Sequence, residues 1–113
     1  GHFKRNYVHV ADVADAFIFG INNPNKVKNE IFNFGLSEAN ISKRQLCESI
    51  KTQLPDFTFQ DAPLAKDPDQ RNYIVSNTKI ESIGMRAKVT LDEGISELIK
   101  GLRMFTSYPY TNL

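Results

Sequence analysis

The sequence predicts an α/β fold, a small mixed sheet of short strands covered by helices. Three observations carry that expectation. Apolar residues recur at helical spacing in several separate stretches, and short alternating runs stand between them. Two capping boxes, Ser42 with Gln45 and Thr90 with Glu93, mark where two of the helices begin. The order is strand, helix, strand, helix, strand, loop, strand, helix, helix, which is an alternating α/β pattern.

Taken in order, Tyr7, Val8, His9 and Val10 form the first alternating run, with Lys4 and Arg5 directly before it. Val13, Ala16, Phe17, Gly20 and Ile21 then follow the spacing of one helix face, and Asp12 stands at the N-cap position. Asn22-Asn23-Pro24-Asn25 ends that helix, because proline disfavours helix in the residue before it. Residues 30–35 alternate up to Gly35 and predict a second strand. Ser42 opens the next helix, with Ile41 and Leu46 at staple spacing, a stripe of Leu46, Cys47, Ile50 and Leu54, and Pro55 as its stop. Residues 57–60 and 73–75 are two further strand candidates, separated by a polar, proline-bearing loop. Asn77 caps a short helix through Ile80 and Ile83 that Gly84 stops. Thr90 starts the last helix, whose face is Leu91, Ile95, Leu98, Ile99, Leu102 and Phe105.

A chain of 113 residues makes one domain. Its apolar share of 41% and charged share of 24% are those of an ordinary globular protein. No run of eighteen apolar residues exists and no secretory signal is visible, so no membrane span is expected. The formal net charge of +1 gives no global field for nucleic acid. Cys47 is the only cysteine, which excludes an intrachain disulfide and fits a cytoplasmic setting. Strands this short make a small sheet, and the chain is too short to cover both its faces. An exposed apolar surface that another piece covers, or through which copies self-associate, is expected.

No self-contained catalytic machinery is visible. The glycines are isolated, with none at the spacing of a dinucleotide fingerprint or a P-loop, and no tyrosine has a lysine four residues later. No Ser-His-Asp set and no metal-ligand cluster stands out. What remains is a set of cations, Arg5 before the first strand and Lys66 and Arg71 around an acid-bearing loop. Converging from separate segments, they would suit a pyrophosphate, whose oxygens match the planar fork of arginine. Their alternative is plain solvated surface charge. Asp69 either takes a ribose hydroxyl or starts a turn after Pro68, and His9 and Asp12 read first as structural residues.

Four stretches resemble a known family. "RNYVHVADVADAF" looks like the Arg-Asp-Tyr-(Val/Ile)-His-Val-x-Asp-(Val/Leu)-Ala segment of the nucleotide-sugar epimerases and dehydratases, the extended short-chain dehydrogenase/reductases. "IFNFGLSEANISKRQL" is similar to that family's Asn-(Val/Phe)-Gly stretch and the capped helix after it. "DQRNYIVSNTKIESIG" and "TLDEGISELIKGL" resemble its Asp-x-Arg-x-Tyr segment and its closing helix. The likeness runs in order from about residue 4 to 105 and covers only the C-terminal part of such an enzyme.

The resemblance implies a C-terminal nucleotide-sugar-binding domain over residues 3–105 and a missing N-terminal Rossmann half; residues 106–113 have no periodicity and are expected to be a flexible tail. That half would hold NAD or NADP and the proton-transfer residues, so this chain alone is expected to bind no coenzyme and to be inactive. Arg5 matches an arginine that contacts the nucleotide diphosphate in many members. Lys66 stands where many relatives have a second phosphate-binding arginine, and lysine lacks the bidentate fork. Asp69 falls near the acidic position linked to the ribose, and Arg71 fits the Asp-x-Arg-x-Tyr variant. Asn6 replaces a common aspartate. The implied partner is a nucleoside diphosphate sugar. The rival reading is a stand-alone α/β protein-interaction module without catalytic activity; a nucleic-acid binder lacks any basic stripe.

Overall fold

A computed structural model of the chain describes residues 2–60 and 71–105. Its only ladder among these residues is antiparallel: β1 (Lys4–Asn6) pairs with β2 (Asn40–Ser42), setting Lys4 opposite Ser42, Arg5 opposite Ile41 and Asn6 opposite Asn40. Around it lie α1 (Val10–Asn22), α2 (Pro24–Val27), α3 (Lys43–Gln53), α4 (Thr78–Ser82) and α5 (Leu91–Phe105), with a 3-10 turn at Ser37–Ala39. The chain is thus mixed helix and strand, with less sheet than its alternating runs predict.

The first strand lies three residues earlier than expected. The run from Tyr7 to Val10 leaves the ladder after one further bond, Tyr7 N–H to the Ala39 carbonyl at 3.2 Å. His9, expected on a strand, is instead the N-cap of α1, and its Nδ1 accepts the Ala11 N–H at 3.1 Å. That bond leaves the ring proton on Nε2, which donates to Glu97 of α5 at 2.9 Å. Asp12, expected as the cap, lies inside the first turn. Only 2% exposed, it accepts the backbone N–H groups of Lys88 and Val89, both at 3.0 Å. A buried carboxylate needs such donors, and these seat α1 against the approach to α5.

Residues 30–35, 57–60 and 73–75 are not strands. Phe32 and Phe34 do point inward while Ile31 and Asn33 face out, so the alternation is real but no second chain pairs with it. Lys79 of α4 holds this segment instead, bonding the Glu30 carboxylate at 2.6 Å and the Ile31 carbonyl at 2.9 Å. Phe57 and Phe59 pack on each other, ring centroids 6.1 Å apart. Residues 73–75 run beside β1 with a single backbone bond, Tyr73 N–H to the Lys4 carbonyl at 3.0 Å.

Side-chain amides do the pairing that a wider sheet would do. Asn6 takes the Leu36 N–H on Oδ1 at 3.0 Å and donates Nδ2 to the Leu36 carbonyl at 2.7 Å. Asn40 treats Val75 the same way, at 2.9 and 3.0 Å, and its Oδ1 also accepts from Asn6 Nδ2 at 3.1 Å. Asn6 approaches so closely that a Cβ on Gly35 would sit 2.2 Å from its Oδ1, which is why residue 35 is glycine. An aspartate at position 6 could accept from Leu36 but could not donate, so this chain needs the amide. The core beside these clamps is small: Leu36, Ala39 and Ala87, with Tyr7, Val8, Phe34 and Leu91 packed against them.

The helix boundaries match their caps. Ser42 and Gln45 form both bonds of the capping box, and Leu54 ends α3 before Pro55. Leu46, Cys47, Ile50 and Leu54 are half-buried. Asn23 closes α1 onto the Phe19 and Gly20 carbonyls, and Pro24 starts α2. Gly84, at φ 102°, takes the left-handed turn that stops α4. Asn77 stands at the α4 N-cap position without capping it; its Nδ2 donates to Ser37 Oγ at 2.9 Å. Thr90 and Glu93 exchange bonds as expected, with Glu93 accepting the Thr90 N–H at 2.8 Å.

Two helix faces differ from expectation. α1 turns Asp12, Val13, Ala16 and Phe19 inward, whereas Phe17 (74% exposed) and Ile21 (77%) lie outside with Val10 and Ala14. Residues 10, 14, 17 and 21 share one face, so α1 is apolar on both sides and only one is covered. On α5, Ile95 is buried, but Leu98, Leu102 and Phe105 are exposed. The tail 106–113 lies outside the described residues.

Asn6→Asp is expected to lower stability by about 1–3 kcal/mol, because two acceptors lose their donor and face a carboxylate. Urea denaturation checks it, and an unchanged midpoint contradicts the clamp. The Thr90 N–H, and after it the Thr90 hydroxyl, holds the Glu93 carboxyl below its ordinary range. A lowered folded value stabilises above the unfolded value, about 4.3, and that contribution disappears as pH falls through the folded one. Glu93→Gln should therefore cost stability near neutral pH and flatten the acid limb, read by denaturation across pH.

Candidate anion-binding site

Successive side chains of a strand point to opposite faces. Asn6 therefore serves the clamps while its neighbour Arg5 reaches the other way, toward residues 71–73. Its Nη1 donates to the Lys4 carbonyl at 2.8 Å and to the Arg71 carbonyl. Lys4 N–H donates to Asn72 Oδ1 at 2.9 Å. With the Tyr73–Lys4 backbone bond, these contacts zip residues 71–73 to β1.

The zip brings two guanidinium groups to one ring. The Arg5 Cζ lies 4.7 Å from the Tyr73 ring centroid, and the Arg71 Cζ lies 5.5 Å from it. Both are within cation–π range, and the two Cζ atoms are therefore no more than about 10 Å apart. Two residues 66 apart in sequence thus lie at the same ring. Lys66 and Asp69 lie outside the described residues.

Arginine does not give up its proton at accessible pH. The two guanidinium groups can bind and orient an anion but cannot themselves act as acid or base. Among the described residues no group of His, Cys, Asp and Glu could hold a metal ion, and no helix is long and apolar enough to cross a membrane. Asp12 and His9 are committed to the backbone and to Glu97. An open groove of about 380 Å³ lies elsewhere, between α1 and the loop after α4, lined by Ile18, Phe19, Met85 and Arg86 among others. Neither arginine of the cluster lines it.

Tyr73, the ring at which the two arginines lie, was not singled out by sequence reasoning. Its signal was the i, i+2 spacing from Arg71, which puts both side chains on one face of an extended segment. Asn40 was also missed; it holds Val75 and thereby the segment that carries Arg71.

No family model matches the chain. Over 105 residues it is 32% identical to dTDP-4-dehydro-6-deoxyglucose reductase of Escherichia coli, a match covering 88% of this chain and 31% of that protein. Over 104 residues it is 26% identical to dTDP-D-glucose 4,6-dehydratase of Mus musculus, covering 88% and 29%. The chain spans under a third of the length of these curated relatives, and they are a dehydratase and a reductase named for dTDP-sugars.

Proposed function

We propose that this chain is the substrate-binding lobe of an NAD(P)-dependent nucleotide-sugar enzyme of the extended short-chain dehydrogenase/reductase family, and that it grips the nucleoside diphosphate. The observation that carries this reading is the meeting of Arg5 and Arg71 at the Tyr73 ring. The two dTDP-sugar relatives and the four matching stretches support it. Lys66 and Asp69 are further candidates, for a phosphate and the ribose. Binding energy from the diphosphate, remote from the reacting sugar, then serves to position that sugar.

The described residues of this chain do not fit the coenzyme. Both strand-to-helix turns are closed by their own side chains, His9 at α1 and Ser42 with Gln45 at α3, and neither has a glycine-rich cradle for a pyrophosphate. NAD or NADP would belong to an N-terminal Rossmann half, and residues 3–105 would be a cytoplasmic enzyme's second lobe.

The uncovered face of α1, Val10, Ala14, Phe17 and Ile21, would be covered by that half. The two relatives are about three times as long as this chain, which supports such an occupant. The same face is what a stand-alone interaction module would use, so the two readings part at the arginines.

Calorimetry against a series of nucleoside diphosphate sugars separates them. Weak binding by the wild type, reduced about 10- to 100-fold in Arg5→Ala through lost charge-assisted bonds, is the expected result. Equal binding by both would remove Arg5 from the site. Sedimentation velocity should reveal concentration-dependent association of the isolated chain that Phe17→Glu weakens; a strict monomer at high concentration would contradict the docking face.

A further inference from the structure

The geometry points to Tyr73 as the residue that positions Arg5 and Arg71 as a pair, and so makes the site select a diphosphate over a single phosphate. This deepens the anion-binding reading above and rests on it. Three observations carry it. The Tyr73 backbone is fixed, its N–H donating to the Lys4 carbonyl at 3.0 Å on the strand that bears Arg5. That same carbonyl accepts from Arg5 Nη1 at 2.8 Å, and the Arg71 carbonyl accepts from it as well. The ring stands 42% exposed, with both guanidinium carbons within 5.5 Å of its centroid.

Two cations within about 10 Å of each other repel. The electron-rich ring offsets part of that repulsion, and stacking adds to the carbonyl bonds of Arg5 in restraining the two long side chains before ligand binds. Pre-ordering favours an anion that engages both groups at once. A diphosphate has two charged phosphoryl groups on one bridge and can do so. A lone phosphate satisfies one guanidinium and gains little from the second. The ring face supplies this effect, so phenylalanine should replace tyrosine, whereas leucine should not.

Inorganic pyrophosphate and inorganic phosphate are the probes, titrated into the 113-residue chain and its Tyr73→Phe and Tyr73→Leu variants. The order of the Arg5 and Arg71 Nε–H groups is followed by ¹⁵N NMR in ligand-free protein. Tyr73→Leu is expected to weaken pyrophosphate about tenfold while phosphate changes less than about twofold, and to loosen both arginine side chains with backbone spectra otherwise preserved. Tyr73→Phe is expected to match the wild type in all three readouts. Arginine order unchanged in Tyr73→Leu overturns the role of Tyr73, whether or not pyrophosphate binds. Tyr73→Phe behaving like Tyr73→Leu overturns the ring-face mechanism. A wild type that ignores pyrophosphate while its arginines loosen in Tyr73→Leu overturns the anion site itself, and with it the selectivity.

Discussion

Asn6 and Asn40 stand opposite each other in the ladder, and each turns its amide on the backbone of a distant segment, Leu36 for one and Val75 for the other. A carboxamide carries the same donor and acceptor as a peptide group. These two side chains therefore act as short lengths of strand, placed where no further strand runs. Buried backbone groups must find partners, and a two-stranded ladder of three residues a side supplies few. Leu36 belongs to the small core, and Val75 follows the segment that carries Arg71 and Tyr73. Core and candidate site thus depend on the same pair of amides.

That dependence explains how so small a sheet can hold the geometry of the candidate site. Arg5 is fixed by its place in β1, between Lys4 and Asn6. The 71–73 segment is fixed at one end by the bonds of Asn72 and Tyr73 to Lys4 and at the other by Asn40 on Val75. The two arginines then meet without being neighbours in sequence. Elsewhere, Asp12 bonds the backbone ahead of α5 and His9 bonds Glu97 within it, so polar contacts tie α1 to α5 and its approach.

Local signals in the sequence were legible where they were self-sufficient. Ser42 with Gln45, Thr90 with Glu93, Asn23-Pro24 and Gly84 each specify an end through chemistry within four residues, and each end is where that chemistry puts it. The strands were not legible because alternation reports which side is buried, not whether a partner lies alongside. Residues 30–35 keep their in-out pattern with lysine, rather than a strand, beside them. Asp12 misled because a helix-start aspartate looks the same whether its acceptors are filled locally or by Lys88 and Val89. Arg5 and Arg71 could be picked out by residue type and family likeness; their meeting at Tyr73 is a long-range fact that no window of sequence contains.

The partners of Asp12 lie 76 and 77 residues downstream. During synthesis at 5–20 residues per second, α1 would wait roughly 4 to 15 s before Val89 exists to receive it. Throughout that interval the inner side of α1 lacks the backbone donors that seat Asp12. The order of synthesis thus sets a delay between the making of α1 and its docking onto the backbone ahead of α5.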